Sequence, residues 1–326
     1  MHRVFPVALL SLLVLAGSAI SQPVPADYAT LVEPDDREAV VIKPMQEKLA
    51  ANPDDQATAR ALLLAYKQYG DFESGLPLGE RLGATNPDDD AIFEARMLLA
   101  KRRIDEASLF GKKSAAADLL AMCEGERARA PRSVPALNCL AQYYMIAPSI
   151  VGGDKAKAEA AIAAMEGLDA GQYLRLRANL AIGNDDKASA RALLLEAIPK
   201  LTEAADVTGA ALVLGMLGDG EAALTTLDRA ALLDPADPLT LYQRGRAAAL
   251  TGRNLEAGRD SLLRLLAGSA WINGTDYRAS AHWRLGQIYM ALDDKGTAEK
   301  AYRRALVLEP KHKEAQAALK ALKSNG

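Results

Sequence analysis

The stretch ASAHWRLGQIYMALDDKGTAEKAYRRALVLEPKH, residues 279–312, is 34 residues long and closes on Pro310. The same length recurs upstream. Asn52, Pro53, Asp54 and Asp55 return as Asn86, Pro87, Asp88 and Asp89, a spacing of 34. Pro87 to Pro131 is one such period plus ten residues, Pro131 to Pro235 three plus two, and Pro235 to Pro310 two plus seven. A proline stops one helix and a neighbouring Asp or Asn caps the next, so the punctuation has a mechanical cause. A period of this length marks an array of helical hairpins.

Composition agrees. Half of the 326 residues are hydrophobic while aromatic residues make up only 5%, which suits helices packed through Ala and Leu better than a β-sandwich. A net charge of -3 gives no general attraction to nucleic acid or anionic lipid.

Position by position, residues 279–312 resemble a tetratricopeptide repeat. Leu285, Gly286, Tyr289, Ala298, Tyr302, Ala305 and Pro310 occupy the signature places of that family. The resemblance implies that Gly286 and Ala298 are small because two helices touch there, with Tyr289 and Tyr302 filling the space around the contact. His282 stands where the family usually has tryptophan, and Trp283 follows it. Residues 204–237 match more loosely through Gly218, Ala223, Leu227, Ala230 and Pro235, and residues 238–271 keep Gly245, Gly252 and Ala257. Tyr66, Gly70 and Pro87 mark a unit starting near Gln56, Tyr144 one near Val134, and Gly183 with Ala188 a degenerate one. The expected fold is an all-α, right-handed solenoid of about seven hairpins over residues 36–326. A helix at 36–51 and a closing helix at 313–323 cap it.

The period slips in three places. Residues 103–113 should lengthen one hairpin, and 272–278 should separate the last two. Residues 148–155 expand a turn with Gly152 and Gly153 ahead of Asp154, which suits a helix cap. That loop is also similar to one in some exported bacterial repeat proteins, including ones associated with TRAP-type solute transporters.

Residues 1–21 have the three-part layout of a secretory signal peptide. A basic start at His2 and Arg3 precedes an apolar run from Val4 to Ala16 and a small, polar end at Ser21. The apolar run is shorter than the roughly 20 residues that span a bilayer. The mature chain is therefore expected in the periplasm or secreted, without stable membrane insertion, beginning with an extended segment at 22–35.

Chemistry is sparse. His282 and His312 lack partners at metal-ligand spacing, and no phosphate-binding loop, nucleophile elbow or dinucleotide fingerprint is present. Asp88, Asp89 and Asp90 sit in a turn where Asp caps helices. Asn273, Gly274 and Thr275 formally fit a glycosylation acceptor. No catalytic residue, metal or cofactor is expected. Cys123 and Cys139 each lie eight residues from Pro131 on helices joined by that turn. This makes them either a disulfide or two buried thiols.

Solenoids of this family bind along the concave face, lined by the first helix of each hairpin. The fifth and ninth positions of each unit would point inward. They read Arg60 and Leu64, Glu94 and Leu98, Asn138 and Gln142, then Tyr173 and Arg177. Thr208 and Leu212, Tyr242 and Arg246, and Trp283 and Gln287 complete the series. An aromatic followed by a polar residue recurs at Tyr173, Arg177, Tyr242, Arg246, Trp283 and Gln287, which suits a binding hot spot or a Tyr–Arg stack across one helical turn. The Lys and Asn set that clamps a peptide's terminal carboxylate in some relatives is replaced by Tyr or Trp. Two functions fit: an exported scaffold holding a protein or peptide, or a repeat protein holding a solute for a transporter. An open groove would favour the first and a closed cavity beside residues 148–155 the second.

Overall fold

The computed structural model describes residues 27–31 and 38–324. The expected signal peptide, residues 1–21, lies outside the described residues. After a π-helical entry at Glu38–Ile42, α1 is Lys43–Ala51. Seven hairpins follow among the described residues: α2 Gln56–Tyr69 with α3 Phe72–Thr85, α4 Asp90–Glu106 with α5 Leu109–Arg129, and α6 Val134–Ile146 with α7 Lys155–Ala163. Next come α8 Ala170–Gly183 with α9 Lys187–Ala197, α10 Ala204–Met216 with α11 Gly220–Leu233, and α12 Pro238–Thr251 with α13 Leu255–Ala267. The seventh is α14 Arg278–Ala291 with α15 Lys295–Leu308, and α16 Lys313–Ser324 closes the stack.

The turn carboxylates do what the sequence suggests. An Asp side chain caps the first turn of nine helices, among them Asp55 on α2, Asp89 on α4, Asp154 on α7 and Asp294 on α15. Such a cap contributes about 1 kcal/mol at each helix start. Asp89 pairs with Arg60 on α2 and so ties the first two hairpins together, while Asp88 pairs with Arg129 at the end of α5. Apolar faces are buried between neighbouring hairpins, so each repeat draws its stability from the stack.

Within the last hairpin Gly286 lies under the Tyr302 ring, and a β-carbon there would collide with it. Ala298 and Ala305 are fully buried beside it. Gly286→Leu should therefore destabilise the protein by about 1–3 kcal/mol through overpacking. Thermal melts read this directly, and an unchanged midpoint would contradict the contact.

The three period slips take different forms. Residues 103–113 disappear into long helices, leaving only Ala107 and Ser108 between α4 and α5. Residues 148–155 make a 3-10 turn, Ser149–Val151, whose carbonyl at Val151 accepts from Tyr143 Oη at 2.6 Å. The slip at residues 272–278 overlaps an unforeseen β-hairpin, β1 Trp271–Ile272 with β2 Thr275–Asp276. Its two-residue turn has Asn273 at φ 47° and Gly274 at φ 83°, the positive pair that Asn-Gly supplies.

This β-hairpin reaches back to the first repeat. Gly274 N–H donates to the Gln68 carbonyl at 3.0 Å, and Trp271 meets the Tyr69 ring edge-on at 5.8 Å. Gly274 packs backbone to backbone on Gly70. On the other side, Tyr28 Oη hydrogen-bonds His282 Nδ1 at 2.8 Å, from a 3-10 turn at Tyr28–Thr30 inside the expected extended segment. The solenoid thus curves until its ends meet.

Candidate functional site on the concave face

The first helices of the hairpins line the interior of this curve, and the residues chosen from sequence fall into two groups. On α8, Arg177 lies over the Tyr173 ring at 5.5 Å and donates to its hydroxyl at 3.3 Å, a local stack. On α12 and α14, Tyr242 is buried and stacks on Tyr277 at 4.4 Å. Arg246 donates to Gln243 Oε1 at 3.3 Å, and Gln287 accepts from Arg284 at 2.9 Å. Trp283 is held between Arg284, 3.9 Å from its ring centre, and the His312 ring. Between the groups, Thr208 is fully buried and hydrogen-bonded to Thr240, so hairpin 5 offers no polar side chain at that position.

Other residues join neighbouring repeats across the face. Lys101 Nζ on α4 donates to Gln142 Oε1 at 3.2 Å, and Gln142 donates to Asn138 Oδ1 at 2.6 Å. Asn138 also accepts from Arg175 on α8 at 3.3 Å. Arg175 donates to Gln172 and pairs with Asp206 on α10 at 3.6 Å. The result is a ladder of carboxamides and charges from α4 to α10. Its members Lys101, Gln172, Arg175 and Asp206 lie outside the fifth and ninth positions of the repeats.

Electrostatics show how closely the walls approach. Burial raises the Glu94 carboxyl above its ordinary range, and Asp206 on α10 adds to this from across the interior. Burial pushes the Lys67 ammonium down, while Glu94 and Asp237, at the start of α12, act in the opposite sense. Lys101 is likewise lowered by burial, with Arg175 adding like-charge repulsion. Charges on α2 and α4 therefore act on those of α10 and α12. Such a surface can donate and accept hydrogen bonds along a line.

Beside residues 148–155 lies a cleft of about 560 Å³ lined by Tyr144, Met145, Ile146, Lys155 and Ile182, and it opens to solvent. Among the described residues, no three His, Cys, Asp or Glu side chains converge as metal ligands would, and no helix is long and apolar enough to cross a membrane.

Residues 279–312 match the sequence model of the tetratricopeptide repeat. No curated protein matches the chain. Among solved structures, the chain is similar to the APC/C hetero-tetramer Cut9–Hcn1, at 14% identity over 86% of this chain with a TM-score of 0.49. It spans 52% of that chain, about half its length. It is also similar to PilW, a type IV pilus biogenesis factor, at 15% identity over 70% of this chain and 98% of that one, with a TM-score of 0.46. YrrB, described as a TPR protein with an unusual peptide-binding site, shares 18% identity over 61% of this chain and 97% of its own, with a TM-score of 0.44. Gly286 packs under Tyr302 within the matched stretch and six more hairpins stack before it, so the chain is a solenoid of helical hairpins whose last hairpin matches the tetratricopeptide-repeat model.

Proposed function

We propose that this protein is a non-catalytic scaffold of an exported compartment that holds a polypeptide segment against its concave face. The carboxamide ladder carries this reading. Asn138, Gln142 and Gln172 present the same donor and acceptor chemistry as a peptide bond. Their bonds to one another can be exchanged for bonds to a bound backbone at little net change. The exposed Arg177 and the half-buried Arg246 add cationic donors for carbonyl or carboxylate groups. A solute-holding role would call for an enclosed pocket, and the cleft beside residues 148–155 is open. Export is inferred from residues 1–21, and the closeness of Cys123 to Cys139 suits an oxidising compartment.

The test is affinity capture from the native envelope with the wild type and with Arg177→Glu combined with Arg246→Glu. The double variant should lose the captured polypeptide while helicity and melting temperature stay nearly unchanged, since surface charges contribute little to stability. Equal capture by both proteins would overturn the concave-face reading.

A further inference from the structure

The turn that closes the solenoid carries a reactive pair. Asn273 and Gly274 form the tip of the β-hairpin, and Asn273 is exposed to water. When glycine follows asparagine, the glycine nitrogen can attack the asparagine carboxamide with no side chain in its way. The Gly274 nitrogen loses its proton and bonds Asn273 Cγ, ammonia leaves, and a five-membered succinimide forms. Water then opens that ring at either carbonyl, which leaves aspartate or isoaspartate at position 273. The only co-reactant is water.

In the closed protein the first step is held back at the nucleophile. Gly274 N–H donates to the Gln68 carbonyl at 3.0 Å, and Gly274 is buried against the Gly70 backbone. A buried N–H that already donates to a carbonyl is withheld from any base that would take its proton. Lifting the β-hairpin off Gly70 frees that N–H while Asn273 stays beside it. We propose that Asn273-Gly274 is a deamidation site gated by the closure, so that opening of the β-hairpin exposes the chain to a one-way change that keeps its ends apart. Isoaspartate places an extra methylene in the main chain, which a two-residue turn between the paired Ile272 and Thr275 does not accommodate. Either product also adds a carboxylate beside a cleft lined by Asp71, Glu73, Glu106 and Asp276 together with Arg102.

Peptide mapping of the full chain by mass spectrometry, sampled during incubation at mildly alkaline pH, tests this. Mapping also separates position 273 from Asn325-Gly326, the same pair elsewhere in the chain. Because the reaction proceeds from the opened state, its rate follows the open fraction. Folded wild type should convert at least about tenfold more slowly than the same chain in urea. Gly70→Ala strains the closed contact and should convert at least about tenfold faster than wild type. Trp271→Ala, which removes the ring contact on Tyr69, should also accelerate conversion, and it decides the matter if Gly70→Ala does not fold. The isoaspartate-bearing fraction, isolated by ion exchange, should have a larger radius of gyration than unmodified protein. Conversion of folded wild type as fast as in urea, or no faster in the folded variants than in wild type, would overturn the gate. An isoaspartate fraction as compact as unmodified protein would overturn the one-way change.

Discussion

Gly70→Ala should destabilise the protein by about 2–4 kcal/mol and loosen its closed shape. Gly70 ends α2 at φ +76°, where a β-carbon costs about 1 kcal/mol. That β-carbon would also lie 2.5 Å from the Gly274 α-carbon, and backbone on both sides leaves no flexible side chain to yield. Overpacking of this sort adds about 1–3 kcal/mol. Gly252 supplies the control. It ends α12 at φ +67° with nothing within 4 Å of its β-carbon position, so Gly252→Ala measures the conformational part alone. Denaturant melts should separate the two variants, and solution scattering should give Gly70→Ala the larger radius of gyration. Equal losses of stability with unchanged scattering would mean that the β-hairpin does not hold the ends together.

Reducing the Cys123–Cys139 pair should cost about 3 kcal/mol, the chain-entropy value for a loop of this size. The two residues are 16 apart in sequence and sit on α5 and α6 with their α-carbons 6.1 Å apart, at disulfide distance. Both are fully buried in the core of the second and third hairpins. Protein purified from an oxidising compartment should show no free thiol under denaturing, non-reducing conditions. Alkylation of both cysteines without prior reduction would remove the bond and leave the fold assignment standing.

Much of the fold was legible because its causes are local. The proline spacing, the Asp caps and the small Gly286 opposite Tyr302 each act within one repeat, so one stretch of sequence reveals them. The closure was not legible, since Gln68 and Gly274 meet across most of the chain and share no pattern. The two-residue strands are too short for an alternating signal, and Asn273-Gly274 was read as part of a glycosylation acceptor although the pair is also a strong hairpin-turn signal. On the concave face, counting fifth and ninth positions gave residues of both kinds. Arg177 is exposed, while Thr208 and Tyr242 are buried. Lys67 and Lys101 are the twelfth residues of α2 and α4, three beyond the ninth and on the same helical side. Extending the count by that one step would have found them.

The closure also shapes how a ligand reaches the site. With β1 and β2 seated on Tyr69 and Gly70, a polypeptide held as proposed would enter the interior from an open end or after the β-hairpin lifts. The contact includes the backbone hydrogen bond from Gly274 to Gln68 and the Trp271–Tyr69 ring pair, and local opening of the β-hairpin would break it.

The most direct measurement is site-specific photo-crosslinking in the cells that make the protein, with a benzophenone side chain placed at position 142 or at position 159. Gln142 belongs to the ladder on the concave face, whereas Glu159 is exposed on α7, the second helix of the same hairpin. Illumination should yield a polypeptide adduct from position 142 and none from position 159. An adduct from position 159 alone, or equal adducts from both, would contradict binding in the concave face.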